Sequence, residues 1–280
     1  MYFPDLLGLP AELLLLVAEF LDAESSINSL NRTSKTLYTC LNKYLYQHNA
    51  KTSESSALVW AAREGNTVTA SLSISMGGDV NSKDIAGCTP LSIALSEGHM
   101  AVVRVLLDTG QVDVNSQNNS GRTPLSFAIL GGYTAVVEVL LGAEHVDLSL
   151  TDIGGRTPLC HAASLGDDKL VKRLLDTGQV DVNSKDNGRR TPLSIAVLGG
   201  HMAVLEVLLD TEQVDMNSVD INDRTPLCNA VSRDDHQMVK RLLATGQAHA
   251  SLKSALSTAR WYGCGEAMML LLENKQDLAP

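Results

Sequence analysis

The sequence predicts an all-α molecule: a small three-helix module over residues 1–50, followed over 51–280 by an α-solenoid of short helical hairpins. A Thr-Pro-Leu triplet begins at Thr89, Thr123, Thr157, Thr191 and Thr225, always at the same spacing, and so regular a recurrence marks a stacked repeat. Only 4% of the residues are aromatic, while Leu, Ala, Val and Gly abound, as expected of small-residue helices packed on one another. Residues 1–50 lack the triplet and follow a denser apolar pattern of their own. A chain of 280 residues also exceeds what one compact core usually spans, which favours a modular or repetitive plan.

Each part of the repeat has a physical reason. Thr suits an N-cap because its hydroxyl accepts a backbone N–H of the first turn, and Pro follows at the helical position that needs no N–H. Gly98, Gly132, Gly166 and Gly200 lie nine residues after their Thr, where a left-handed residue ends the first helix and turns the chain into the second. The second helix has apolar residues at helical spacing, as in Val102, Val103, Val105, Leu106 and Leu107, so one face is made for burial. Helices of roughly ten residues fall below the ~12–15 that are marginally stable alone, and each hairpin must lean on its neighbours.

Degenerate copies extend the array. Ser56-Ala57-Leu58 with Ala61, Ala62 and Gly65 matches one repeat before Thr89, and Ser254-Ala255-Leu256 with Ala259 and Gly263 matches one after Thr225. Seven hairpins are expected, the last shortened because Ser254 follows Thr225 sooner than one Thr follows another. In the sixth, Asp234 replaces the turn glycine; a Cβ in the left-handed region is strained, and that repeat is expected to be less stable.

Thr-Pro-Leu-x-x-Ala with a closing Asp-Val-Asn resembles the ankyrin repeat, and the resemblance implies a surface that binds other proteins. The sequence departs from the family where a His usually follows Thr-Pro-Leu: Ser92, Ser126, Cys160, Ser194 and Cys228 stand there instead, which weakens the expected local hydrogen-bond scheme. Arg122, Arg156, Arg190 and Arg224 precede four of the Thr residues. They are expected to line up along one side, either facing an acidic or amide-rich client or pairing with Asp152, Asp186 and Asp220. A longer period of two repeats also shows, Val239-Lys240-Arg241-Leu242-Leu243 echoing Val171-Lys172-Arg173-Leu174-Leu175. It alternates apolar Leu130 and Leu198 with acidic Asp167, Asp168, Asp234 and Asp235. Leu130, Leu165 and Leu198 are client-binding candidates, or pack on the next repeat.

In the first fifty residues the apolar pattern runs from Leu9 to Leu21 and resumes at Ile27, Leu30, Leu37, Leu41 and Leu45. Pro10 fits a helix start and Asp22 to Ser26 a break. So small a module cannot bury every apolar face alone, and a surplus face suggests a partner. The string Leu9-Pro10-Ala11-Glu12-Leu13-Leu14-Leu15-Leu16-Val17-Ala18-Glu19-Phe20-Leu21, followed by Leu30 to Tyr38, resembles an F-box, as in the F-box/ankyrin proteins common in filamentous fungi. The resemblance implies docking onto the Skp adaptor of an SCF ubiquitin ligase, with Leu9, Pro10, Glu12, Leu13, Leu16, Phe20 and Leu21 as contacts and a client protein on the repeats. Leu37 stands where many F-boxes carry Trp. The alternative is a plain interaction scaffold whose first helices cap the solenoid.

Composition narrows the remaining classes. The net charge of −10 argues against a protein that tracks nucleic-acid phosphates. The apolar stretch Leu13 to Val17 is interrupted by acids on both sides, with no Lys or Arg before it, and is expected to be neither a signal peptide nor a membrane span. Five widely spaced cysteines, Cys40, Cys88, Cys160, Cys228 and Cys264, read as reduced thiols of the cytoplasm or nucleus. The sequence holds no nucleophile elbow, HExxH helix, phosphate-binding loop or zinc-like spacing. No catalytic residue, metal or cofactor is expected.

Overall fold

A computed structural model describes residues 56–276, apart from 76, 144 and 212. The described residues contain α-helices, one short 3-10 helix and turns, with no strand. They form seven hairpins and divide into two compact units, one up to Asn119 and one from Ser120. The first unit holds α1 (Ser56–Glu64), α2 (Thr67–Ser75), α3 (Pro90–Ser96) and α4 (Met100–Leu107). The second holds α5 (Pro124–Leu130), α6 (Thr134–Leu141), α7 (Pro158–Leu165), α8 (Asp168–Leu175), α9 (Pro192–Gly199), α10 (Met202–Leu209), α11 (Pro226–Ser232), α12 (His236–Ala244), α13 (Leu252–Tyr262) and α14 (Gly265–Gln276). The three-helix module expected at residues 1–50 lies outside the described residues.

All five Thr residues cap as the sequence predicts. Each is extended, its hydroxyl accepts the N–H three residues on, and Pro opens the helix. The residue that replaces the family His keeps a side-chain link in most repeats. Thr89–Ser92, Thr123–Ser126 and Thr191–Ser194 join hydroxyl to hydroxyl at 3.2 Å, and the Thr225 hydroxyl donates to the Cys228 sulfur. At Cys160, Thr157 turns to Ser184 instead, at 3.2 Å. The leucines of the triplets, Leu91, Leu125, Leu159, Leu193 and Leu227, are almost wholly buried. Deep burial of one such side chain contributes roughly 1.5–3 kcal/mol.

Gly65, Gly98, Gly132, Gly166, Gly200 and Gly263 take the left-handed conformation at the turn, and Asp234 is held at φ +55 in the same place. The seventh hairpin corrects the sequence reading, for it is not shortened: its helices, of 11 and 12 residues, are the longest described. Its first helix starts at Leu252, after a 3-10 turn over Ala248–Ser251, and Ser254 lies inside it. No Pro fixes a start there, so the incoming turn does.

In the second unit the first helices pack in a row, α5 on α7, α7 on α9, α9 on α11 and α11 on α13. The second helices alternate: α8 packs closely on α10 and α12 on α14, whereas α6 and α8, and α10 and α12, approach less closely. This alternation has the two-repeat period of the sequence. Loops before each Thr are joined one to the next by backbone bonds, Ile153 N–H to Ser120 O, Asn187 N–H to Gly154 O and Ile221 N–H to Gly188 O, all of 2.8–3.0 Å. Asparagine side chains add rungs, Asn183 Nδ2 donating to Gln213 O at 2.8 Å and Asn217 Nδ2 to Gln247 O at 3.0 Å. In the first unit Asn81 does the same to Gln111 O at 2.9 Å.

Candidate functional site

The four arginines hold one register in the second unit, each the last residue before a capping Thr, but their partners differ. Arg190 grips Asp186 through Nε and Nη2 at 2.9 and 2.6 Å. Arg224 Nη2 donates to the Tyr262 hydroxyl at 2.7 Å and the guanidinium lies over that ring, 5.5 Å from its centre. Arg122 is exposed and Arg156 half-buried. The expected pairing of arginine with the loop aspartate is thus realised at Arg190, while the guanidinium of Arg224 turns to Tyr262 instead of Asp220. In all three loops the aspartate Oδ1 accepts backbone N–H groups, Asp152 from Gly154 and Arg156, Asp186 from Arg190, and Asp220 from Asn222 and Arg224. The difference lies at Oδ2, which takes the guanidinium in Asp186 and faces His161 in Asp152.

Asp152 also faces His161, Oδ2 to Nε2 at 3.3 Å, and both side chains are buried. Burial lowers the imidazole pKa; the Asp152 carboxylate opposes this and Arg156 and Arg122 add to it. Burial pushes the Cys160 thiol up and also raises Cys264, beside Asp234, so neither has the character of a reactive thiolate. Cys88, Cys160, Cys228 and Cys264 are all free.

The leucine candidates do not form one set. Leu130 and Leu198 share a register, seven residues after Thr123 and Thr191, whereas Leu165 is eight after Thr157. Leu130 and Leu165 are exposed and Leu198 is half-buried. Two of the acids beside them are caps: Asp167 accepts from the Leu170 N–H and Asp235 from that of Met238. Leu9, Pro10, Glu12, Leu13, Leu16, Phe20 and Leu21 lie outside the described residues.

Two contacts escaped the sequence reading. Arg173 Nε reaches Glu138 at 2.9 Å and Arg241 Nε reaches Glu206 at 2.7 Å, bridging the junctions where the second helices stand apart. The signal was present, since both arginines sit in the echoed Val-Lys-Arg-Leu-Leu. As exposed pairs they contribute only ~0–1 kcal/mol each, so they mark the geometry more than they hold it.

Among the described residues no three His, Cys, Asp or Glu are gathered as metal ligands, and no helix is long and apolar enough to cross a membrane. Comparison with known families matches ankyrin repeats (3 copies) over residues 58–152 and 143–220, and ankyrin repeats (many copies) over 200–243. With Thr-capped hairpins in a fixed register and these matches over more than half its length, the chain belongs to the ankyrin-repeat family, whose repeats are protein-binding modules.

Proposed function

We propose that this ankyrin-repeat protein is the substrate-recruiting subunit of an SCF-type ubiquitin ligase. Residues 9–21 hold the Skp adaptor and the repeats hold a client protein, Arg122, Leu130, Arg156, Leu165, Arg190, Leu198 and Arg224 being the contacts on offer. The observation that carries this reading is the Leu9 to Leu21 string, in which Leu9, Leu13, Leu16 and Phe20 fall on one helical stripe that a module of fifty residues has too little core to cover. The chain contributes proximity: it brings a client to a transferase that does the chemistry elsewhere. This reading places it in the cytoplasm or nucleus, where thiols stay reduced.

A second reading is favoured by Leu37, which offers less area than the Trp common at that place. In it the first helices cap the solenoid and the protein is a scaffold without a ligase role. Pull-down of purified Skp adaptor separates the two, using the intact chain and a Leu9→Ala, Pro10→Ala, Leu13→Ala variant with unchanged circular dichroism. Adaptor held by the intact chain and lost by the folded variant is the expected result. Absence of binding by the intact chain leaves the scaffold.

A further inference from the structure

At three junctions a basic side chain reaches back over the turn of the preceding hairpin. His99 Nε2 lies 3.0 Å from the Arg63 carbonyl oxygen, His201 Nε2 lies 3.2 Å from that of Ser164, and Arg233 Nη1 donates to that of Leu198 at 2.7 Å. The same side chains cover the left-handed glycines. A Cβ built on Gly65, Gly166 or Gly200 would fall under 3.0 Å from His99, His201 or Arg233 respectively. All three carbonyls hold one place in the repeat, two residues before the glycine.

Leu130 holds that place in the α5–α6 hairpin, two residues before Gly132, and there the tie is missing. A Cβ on Gly132 would meet nothing within 4 Å. The cause is in the sequence: Leu165 and Asp167 stand where the sixth repeat, two units on, has Arg233 and Asp235. Leu165 has no donor to offer, and Asp167 is committed to capping α8 at 3.0 Å. Because α6 and α8 also stand apart, a cavity of about 150 Å³ opens between them. Ile129, Val137 and Leu170 supply an apolar wall, and Glu138 and Asp167 supply carboxylates. Two cations, Lys169 and Arg173, also line it, the second held by Glu138. Leu130 stands in the chain between Ile129 and Gly132, both part of the lining.

We propose that this cavity receives an arginine side chain of the client. The guanidinium donates to the Leu130 carbonyl as Arg233 donates to Leu198, continuing the row of ties from outside the chain, while its methylene stem lies along Ile129, Val137 and Leu170. Arginine is the fit because the counterpart socket two repeats on is filled by one, and because a planar fork can serve a carbonyl and the Asp167 carboxylate together. The inference rests on the repeats being the client-holding part and is indifferent to the adaptor.

The test uses the full isotope-labelled chain and two small probes, N-acetyl-arginine amide and N-acetyl-norleucine amide, the second keeping the apolar stem without the guanidinium. The arginine probe is expected to shift the amide resonances of Gly131, Gly132 and Leu170, and the norleucine probe to leave them in place. Leu165→Arg, which supplies the missing tie from within, is expected to abolish the arginine response. Equal response to both probes, or a response that survives in folded Leu165→Arg, overturns the proposal. Should that variant not fold, the two probes on the unaltered chain decide alone. Neither probe involves the adaptor, so failure here and failure of the ligase reading are separate results.

Discussion

His161 shows what burial does to a single titratable group in a repeat. The corresponding residue two repeats on is Asn229, also buried, and Ile93 and Ile195 hold that place in other repeats, so the fold does not need an imidazole there. Its ordinary value is 6.5, and burial sets the folded one lower. The folded chain therefore resists a proton that the unfolded chain accepts. Stability from this group is complete above about pH 6.5 and is lost as the pH falls below it toward the lower folded value. Urea unfolding across that window should show a midpoint that drops on acidification, and His161→Asn should flatten the profile there. An unchanged slope in the variant would remove His161 as the source. Asp152, Arg156 and Arg122 are the charged groups that act on it, and only the first favours the imidazolium.

At the scale of the element, the turn between two helices carries more than a change of direction. Gly132 and Gly166 occupy the same position with φ +68 and +74, yet only Gly166 lies beneath a neighbour's imidazole. Replacing Gly132 by Ala should cost the left-handed penalty alone, about 1–2 kcal/mol. Gly166→Ala should cost that and also displace His201, giving up a hydrogen bond of about 1 kcal/mol. Denaturant titration of both variants measures the difference; equal losses would show that the His201 tie contributes nothing. The caps and turns were legible in the sequence because they depend on a few adjacent residues: Thr before Pro starts a helix, and Gly nine residues later ends it. Ser254 was misread because similarity of letters, without Pro, fixes no start. The partners of the arginines were legible only in part: Arg190 and Asp186 share one loop and pair as expected, whereas Arg224 finds Tyr262 38 residues on. The socket over Gly132 could not be read at all without the distances, although the residues that empty it, Leu165 and Asp167, stood in the two-repeat echo.

Across the molecule, stability of a repeat array is a sum over hairpins and the contacts between neighbours, so position in the array matters. Val137, Val171, Leu205 and Val239 share a register on the second helices and are buried, while Met268, at the matching place in α14, is 37% exposed. Met269 and Leu272 are exposed on α14 as well. Hydrogen exchange of the intact chain should find α13 and α14 losing protection before α9 to α12; uniform protection across these six helices would contradict this account.

The asparagine rungs and the loop-to-loop bonds have a consequence for how such a chain can change. Each asparagine donor meets its acceptor in the neighbouring repeat because the two recur at the same separation, 30 residues at every rung. Gaining or losing one residue inside a unit leaves a donor opposite the wrong atom at that junction. Gaining a whole unit leaves every rung matched. Growth by whole repeats therefore leaves the rungs undisturbed, and the echo of Val171 to Leu175 in Val239 to Leu243 has the spacing that copying two repeats together would leave.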